Sequence, residues 1–236
     1  MATKVGRNGT GAGAEAGAAQ AREKGVRETL TISAPNFRKV YCRVIGTSPY
    51  VQNRFGAKAR VLMHEQQAAG SAGKARKKKD PKNFQALYED AKHVSTEGWC
   101  GIPAAAFRRA MVDACRAAGV RMTAAKQALF IAADGWGPDG TALVRIEGEP
   151  VYHEGPVVNQ SGVVDLRPRP MWPRWSAVVG VEFDADMLRV EDVINLLARA
   201  GKQVGIGEGR PFSRESCGQG WGTFEVEGFG EMGGDE

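Results

Sequence analysis

Residues 38–45 alternate strictly, with Val40, Cys42 and Val44 on one side of an extended chain and Tyr41, Arg43 and Ile45 on the other. Successive strand side chains point to opposite faces, so this spacing predicts a strand buried on one side only. Such a strand needs a covering layer, and the chain carries two amphipathic helical patterns able to supply one. The first opens at Ile102-Pro103 and sets Ala104, Phe107, Ala110, Met111, Ala114, Cys115 and Ala118 at helical spacing. Gly119 is its expected stop, and Arg108, Arg109, Asp113 and Arg116 are left toward solvent. The second covers residues 189–200, with Val190, Val193, Ile194 and Leu197 as its apolar stripe and Gly201 as its expected stop.

The runs QALFIAA (127–133) and TALVRIE (141–147) read as two short strands. A segment dense in turn residues separates them, so a hairpin is expected. SAVVGVEF (176–183) reads as a strong strand with Ala177, Val179, Val181 and Phe183 on one face, and a last strand lies around residues 223–226. The order strand, helix, strand pair, strand, helix, strand is that of an α+β, ferredoxin-like (RRM-like) β-α-β-β-α-β unit, in which two helices cover one sheet face. Long insertions interrupt it at about 46–101 and at 148–175, the latter proline-rich with room for another hairpin. Residues 1–28 are Gly/Ala-rich without an apolar period and are expected to form a flexible arm. The domain proper is expected over 29–228, followed by an acidic Gly-rich tail, 229–236.

A hydrophobic fraction of 42% in 236 residues is enough to close a core. The net charge of +5 hides an asymmetry: residues 1–79 carry 16 Lys+Arg against 4 acids, and residues 80–236 carry 16 against 23. A basic third of this kind points first to a polyanionic partner. No run is long and apolar enough to span a bilayer and no signal-peptide pattern opens the chain, so no membrane partner and a cytoplasmic location are expected. The cysteines Cys42, Cys100, Cys115 and Cys217 and the histidines His64, His93 and His153 are widely spaced, unlike the paired ligands of a zinc site, and neither metal nor cofactor is expected.

Three segments carry chemistry. Between Val204 and Val226, Gly205, Gly207, Gly209, Gly218, Gly220 and Gly222 form a loop able to adopt positive φ and bring amides to phosphates. The loop matches neither G-x-G-x-x-G nor a Walker A motif, and it precedes a strand instead of opening a helix. Lys74, Arg76, Lys77, Lys78, Lys79 and Lys82 form a cationic run suited to phosphate contact, though a solvated loop has the same composition. Arg167, Arg169, Trp172 and Trp175 interleave guanidiniums with rings on which unpaired bases can stack, or which a core can take up. Tyr41 and Arg43 share the predicted open sheet face.

The first strand ending in Ile45-Gly46-Thr47-Ser48-Pro49, the helix start Gly101-Ile102-Pro103-Ala104-Ala105-Ala106-Phe107-Arg108-Arg109-Ala110 and the final glycine-rich loop before a strand together resemble the RAMP superfamily. These are ferredoxin-like proteins that include backbone and processing subunits of CRISPR effector complexes; the chain looks more like stand-alone members of bacteriophage genomes. The resemblance covers about residues 38–226. It implies a non-enzymatic protein that binds single-stranded RNA or DNA and forms a homo-oligomer along the strand, with Arg210 joining the loop glycines and Arg108 and Arg109 at the interface. Two alternatives stay open. One is a metal-independent endoribonuclease on the same fold using His64 or His93 as general acid/base; the other is a phage structural or anti-defence protein with a protein partner.

Overall fold

A computed structural model describes residues 32–68, 82–158, 162, 164–212 and 218–230. The chain divides into Met1–Ala34, of which only residues 32–34 are described and without regular structure, and Pro35–Glu236, to which everything below refers.

Strand β1 (Phe37–Gly46) is the predicted first strand. The first insertion then folds into β2 (Tyr50–Val51), α1 (Ala57–Ala68) and α2 (Phe84–Asp90) and ends in β3 (Gly101–Pro103). Helix α3 (Ala104–Ala118) starts where Pro103 presets the backbone and stops at Gly119 in a left-handed conformation, φ 71°. The short α4 (Met122–Ala128) leads into β4 (Leu129–Ile131), and β5 (Gly135–Trp136) and β6 (Ala142–Glu147) follow. The proline-rich insertion forms β7 (Val151–Val158) and β8 (Val164–Trp172). The chain then runs through β9 (Ser176–Asp184), α5 (Val190–Arg199), a π-helical turn Ala200–Val204 and β10 (Phe224–Gly230).

These strands make two antiparallel sheets. The main sheet has the order β10-β1-β9-β6-β3, with β4 also on β9 and β5 also on β6. The smaller sheet is β2-β8-β7. The architecture is mixed α and β with antiparallel sheets, compatible with the α+β class expected from the residues. Val40, Cys42 and Val44 of β1 and Ala177, Val179, Val181 and Phe183 of β9 are buried in one cluster with Phe107, Met111 and Cys115 of α3 and Val193 and Leu197 of α5. Each large side chain so enclosed stabilises the fold by roughly 1.5–3 kcal/mol. Burial also raises the Cys42 thiol to about 11, so it stays a protonated apolar filler.

Two local expectations change. Residues 127–133 do not pair with 141–147: the first two residues finish α4, and β4 joins β9 through Leu129↔Phe183 and Ile131↔Val181. The hairpin partner of β6 is the two-residue β5 instead. Apolar spacing places residues on a buried face but does not name the neighbouring strand. Similarly, α5 does not stop at Gly201. It widens into the π-helical turn and ends at Gly205, φ 72°. Gly201 answers a different need, because a Cβ there would lie 2.1 Å from the carbonyl oxygen of Phe224 as β10 passes.

Candidate nucleic-acid interface

All six glycines of the loop are left-handed, with φ between 67° and 79°. Side chains rarely tolerate that region, which is why the sequence repeats glycine there. Four positions are also sterically tight, and at Gly207 and Gly222 the neighbour includes backbone. A Cβ on Gly222 would lie 1.8 Å from the Ile206 carbonyl oxygen, and one on Gly207 would lie 2.6 Å from both the Tyr50 ring and the Val51 carbonyl oxygen. The loop is thus folded tightly onto β2. Its amides follow suit: Gly205 N–H donates to Ala200 O at 2.8 Å, Ile206 to Gly222 O at 2.9 Å, Glu208 to Val51 O at 3.0 Å, Trp221 to Gly209 O at 3.1 Å and Gly222 to Pro49 O at 2.7 Å. The expectation that these amides cradle phosphates is corrected at Gly205 and Gly222, whose donors serve the loop's own packing. Gly209 abuts the Trp221 ring, whereas Gly218 and Gly220 have no close neighbour among the described residues.

The folded loop creates a concavity the sequence did not announce. A groove of about 230 Å³ runs between the first turns of α3 and the loop, lined by Ala105, Ala106, Arg109, Asp113, Gly205 and Arg210 among others. Small residues on both sides let the backbone come close to an occupant. Arg109 stands at its rim with its side chain 77% exposed, 3.7 Å from Asp113, and Arg210 donates through Nη1 to Gly207 O at 2.9 Å. Four sequence-predicted residues, Arg109, Gly205, Gly207 and Arg210, therefore meet at one place. Around them the helical layer is basic: residues 104–128 and 189–210 hold nine Lys+Arg against four acids, with Arg116, Arg121, Lys126, Arg199 and Lys202 exposed.

Other predicted residues are placed elsewhere. Trp172 is fully buried beside Tyr50, ring centroids 5.7 Å apart, and Trp175 packs at a tilt against the same Tyr50 ring, centroids 5.5 Å apart. The stacking role assigned to Trp172 is corrected, since no face of its ring reaches a base. Arg169 is buried and donates through Nε to Glu208 Oε2 at 2.5 Å. Arg108 donates to the carbonyls of Leu129, at 2.7 Å, and Lys126, and lies over the Phe130 ring at 4.9 Å, so it ties α3 to the end of α4. Arg167 sits 3.6 Å from Asp165, which also pairs with Lys82. Lys74, Arg76, Lys77, Lys78 and Lys79 lie outside the described residues.

Tyr41 and Arg43 do share the open face of the main sheet, but carboxylates accompany them. Arg43 contacts Glu147 at 3.0 Å and Glu227 at 3.2 Å, and Lys39 contacts Glu182 at 2.7 Å. A phosphate backbone would meet repulsion there.

The two candidate acid/base histidines have unlike surroundings. His64 is exposed on α1. His93 is part-buried; its backbone N–H donates to Gln52 Oε1 at 2.8 Å and its carbonyl accepts from Gly101 N–H at 2.9 Å. Burial, reinforced by the nearby Arg54 guanidinium, lowers its imidazole to about 4. Arg54 itself pairs with Asp139 at 3.3 Å; hydrogen bonds from Thr141, with Arg54 adding to them, hold that carboxyl at about 2. Among the described residues no three His, Cys, Asp or Glu side chains gather as metal ligands, and no helix is long and apolar enough to cross a membrane. Comparison with protein-family models finds no match to this chain, and a search of the curated proteins finds none either.

Proposed function

We propose that this chain is a RAMP-like protein with a ferredoxin-like core that binds single-stranded RNA or DNA without enzymatic chemistry and multimerises along the strand. The observation that carries the reading is the groove between α3 and the glycine loop, where Arg109 and Arg210 flank the small residues Ala105, Ala106, Gly205 and Gly207. A strand lying there meets guanidiniums at the rim and close backbone below, while Lys202 and Arg116, exposed on the same π-helical turn and helix that line the groove, add to the cationic surface. The spatial order β10-β1-β9, with β4 beyond β9 and α3 and α5 on one face, supports the ferredoxin-like core. The order also explains why the loop before β10 lies beside α3, since α5 and its π-helical turn deliver it there.

Fluorescence anisotropy with labelled single-stranded RNA and DNA, at about 50 and 200 mM salt, tests the reading. Binding that weakens steeply with salt, and that falls about tenfold in Arg109→Glu/Lys202→Glu, is the expected result. No binding to any oligonucleotide at the lower salt would sink it.

A further inference from the structure

We propose that the open face of the main sheet is the docking surface for the cationic segment 74–82 of a second copy of this chain. The inference rests on the multimerising reading above and names the contact between neighbours. Opposite the helices, the face displays Phe37, Tyr41, Phe130 and Val178, of which Phe37, Phe130 and Val178 are 40–46% exposed. Apolar and aromatic groups in this number, on a sheet face left open among the described residues, mark a surface that gains from being covered.

The charge on this face selects the occupant. Its cations, Lys39, Arg43 and Arg145, stand against six carboxylates, Asp134, Glu147, Glu182, Asp184, Glu225 and Glu227. Lys39 and Arg43 are already paired within the sheet, and Glu225 makes no ion pair among the described residues. The surplus is therefore negative. A depression of about 430 Å³ is set into the face, lined by Asp134, Arg145, Glu147 and Val178. Val178 beside the carboxylates of Asp134 and Glu147 suits lysine, whose methylene stem covers apolar surface while its ammonium reaches out to an acid. The segment 74–82 offers Lys74, Arg76, Lys77, Lys78 and Lys79 against the single acid Asp80. Lys82 is held by Asp165 on β8, which ties the segment's end to the smaller sheet. Donor and acceptor are different surfaces, so the contact is head-to-tail and each copy is left with a surface for the next, as assembly along a strand requires.

Sedimentation velocity on the full chain, freed of nucleic acid by nuclease and high salt and then returned to low salt, tests this. The wild-type chain is expected to self-associate in a salt-sensitive manner. Glu225→Lys/Glu227→Lys, and separately Lys77→Glu/Lys78→Glu/Lys79→Glu, are each expected to weaken association about tenfold, and the five changes in one chain to restore it. The swap guards against misfolding, because a damaged chain is not rescued by further substitutions. Association unaffected by either reversal, or not restored by the swap, overturns the proposal. A wild-type chain that binds oligonucleotide yet stays monomeric without it also overturns the proposal, while leaving the functional reading intact. A chain that assembles in this charge-dependent way but binds no oligonucleotide sinks the functional reading alone.

Discussion

Arg169 on β8 and Glu208 in the glycine loop meet through a 2.5 Å Nε–Oε2 hydrogen bond, with the arginine side chain 10% and the glutamate side chain 26% exposed. The bond fastens the proline-rich hairpin to the loop that shapes the groove. Removing only the glutamate strands a guanidinium in a nearly dry site. Glu208→Ala is expected to cost about 2–3 kcal/mol, and Arg169→Met/Glu208→Met to recover most of it. Chemical denaturation of the three proteins checks the difference; equal losses in single and double variants would mean the ion pair is not the linkage.

Glycines in the loop are expected to divide sharply by what stands beside them. Gly222→Ala places a methyl within 1.8 Å of the Ile206 carbonyl oxygen at φ +68°, and the chain is expected to lose several kcal/mol through backbone displacement. Gly220→Ala meets nothing within 4 Å among the described residues and carries only the left-handed penalty, about 1 kcal/mol. Thermal melts of the two variants side by side suffice. Similar melting temperatures would show that the loop's close packing does not govern its stability.

Trp172 contributes volume, not a stacking platform. Its indole nitrogen is buried and, among the described residues, makes no hydrogen bond. Trp172→Phe removes that unsatisfied donor while shrinking the ring, two opposing effects of about 1–3 kcal/mol each, so stability should change little. Trp172→Ala should cost about 3–5 kcal/mol. Oligonucleotide affinity of the folded Phe variant should match the wild type in the anisotropy assay, and a large loss there would return Trp172 to the interface.

The neutral imidazole of His93 makes stability depend on pH. Its folded value of about 4 lies below the ordinary 6.5, so between those limits the unfolded chain binds more protons. Stability contributed by His93 is therefore complete above about pH 6.5 and declines as pH falls toward 4, by on the order of 2–3 kcal/mol. Urea unfolding at pH 7.5, 5.5 and 4.5 for wild type and His93→Gln isolates it, because the carboxylates titrate in both proteins. Parallel pH profiles would mean that the imidazole is not held neutral.

Much of the main sheet and its helices could be read from spacing alone. Val40, Cys42 and Val44 repeat every second residue, Val193 and Leu197 every fourth, and each set is buried where its period puts it. Pairing partners were not readable: β4 prefers β9 over β6 because a strand's side-chain pattern specifies a face and not a neighbour. In the candidate interface, Arg109, Arg210 and the loop glycines were nameable as residue types suited to a polyanion. That Arg108 would turn inward to the carbonyls of Lys126 and Leu129 while Arg109, one position on, stays outside follows from helix geometry joined to the position of α4.

Charge shows the same division. Composition determined that the chain is basic at one end and acidic at the other, because that needs only a count along it. Folding turned this into a different polarity, basic across the helical layer and acidic across the open sheet, since β1 and β10 from opposite ends of the chain pair side by side and bring Arg43 against Glu227. Local periodicity is a property of neighbouring residues and is written in the sequence. Which charges end up facing one another across a sheet depends on pairings between distant segments, and packing alone selects those.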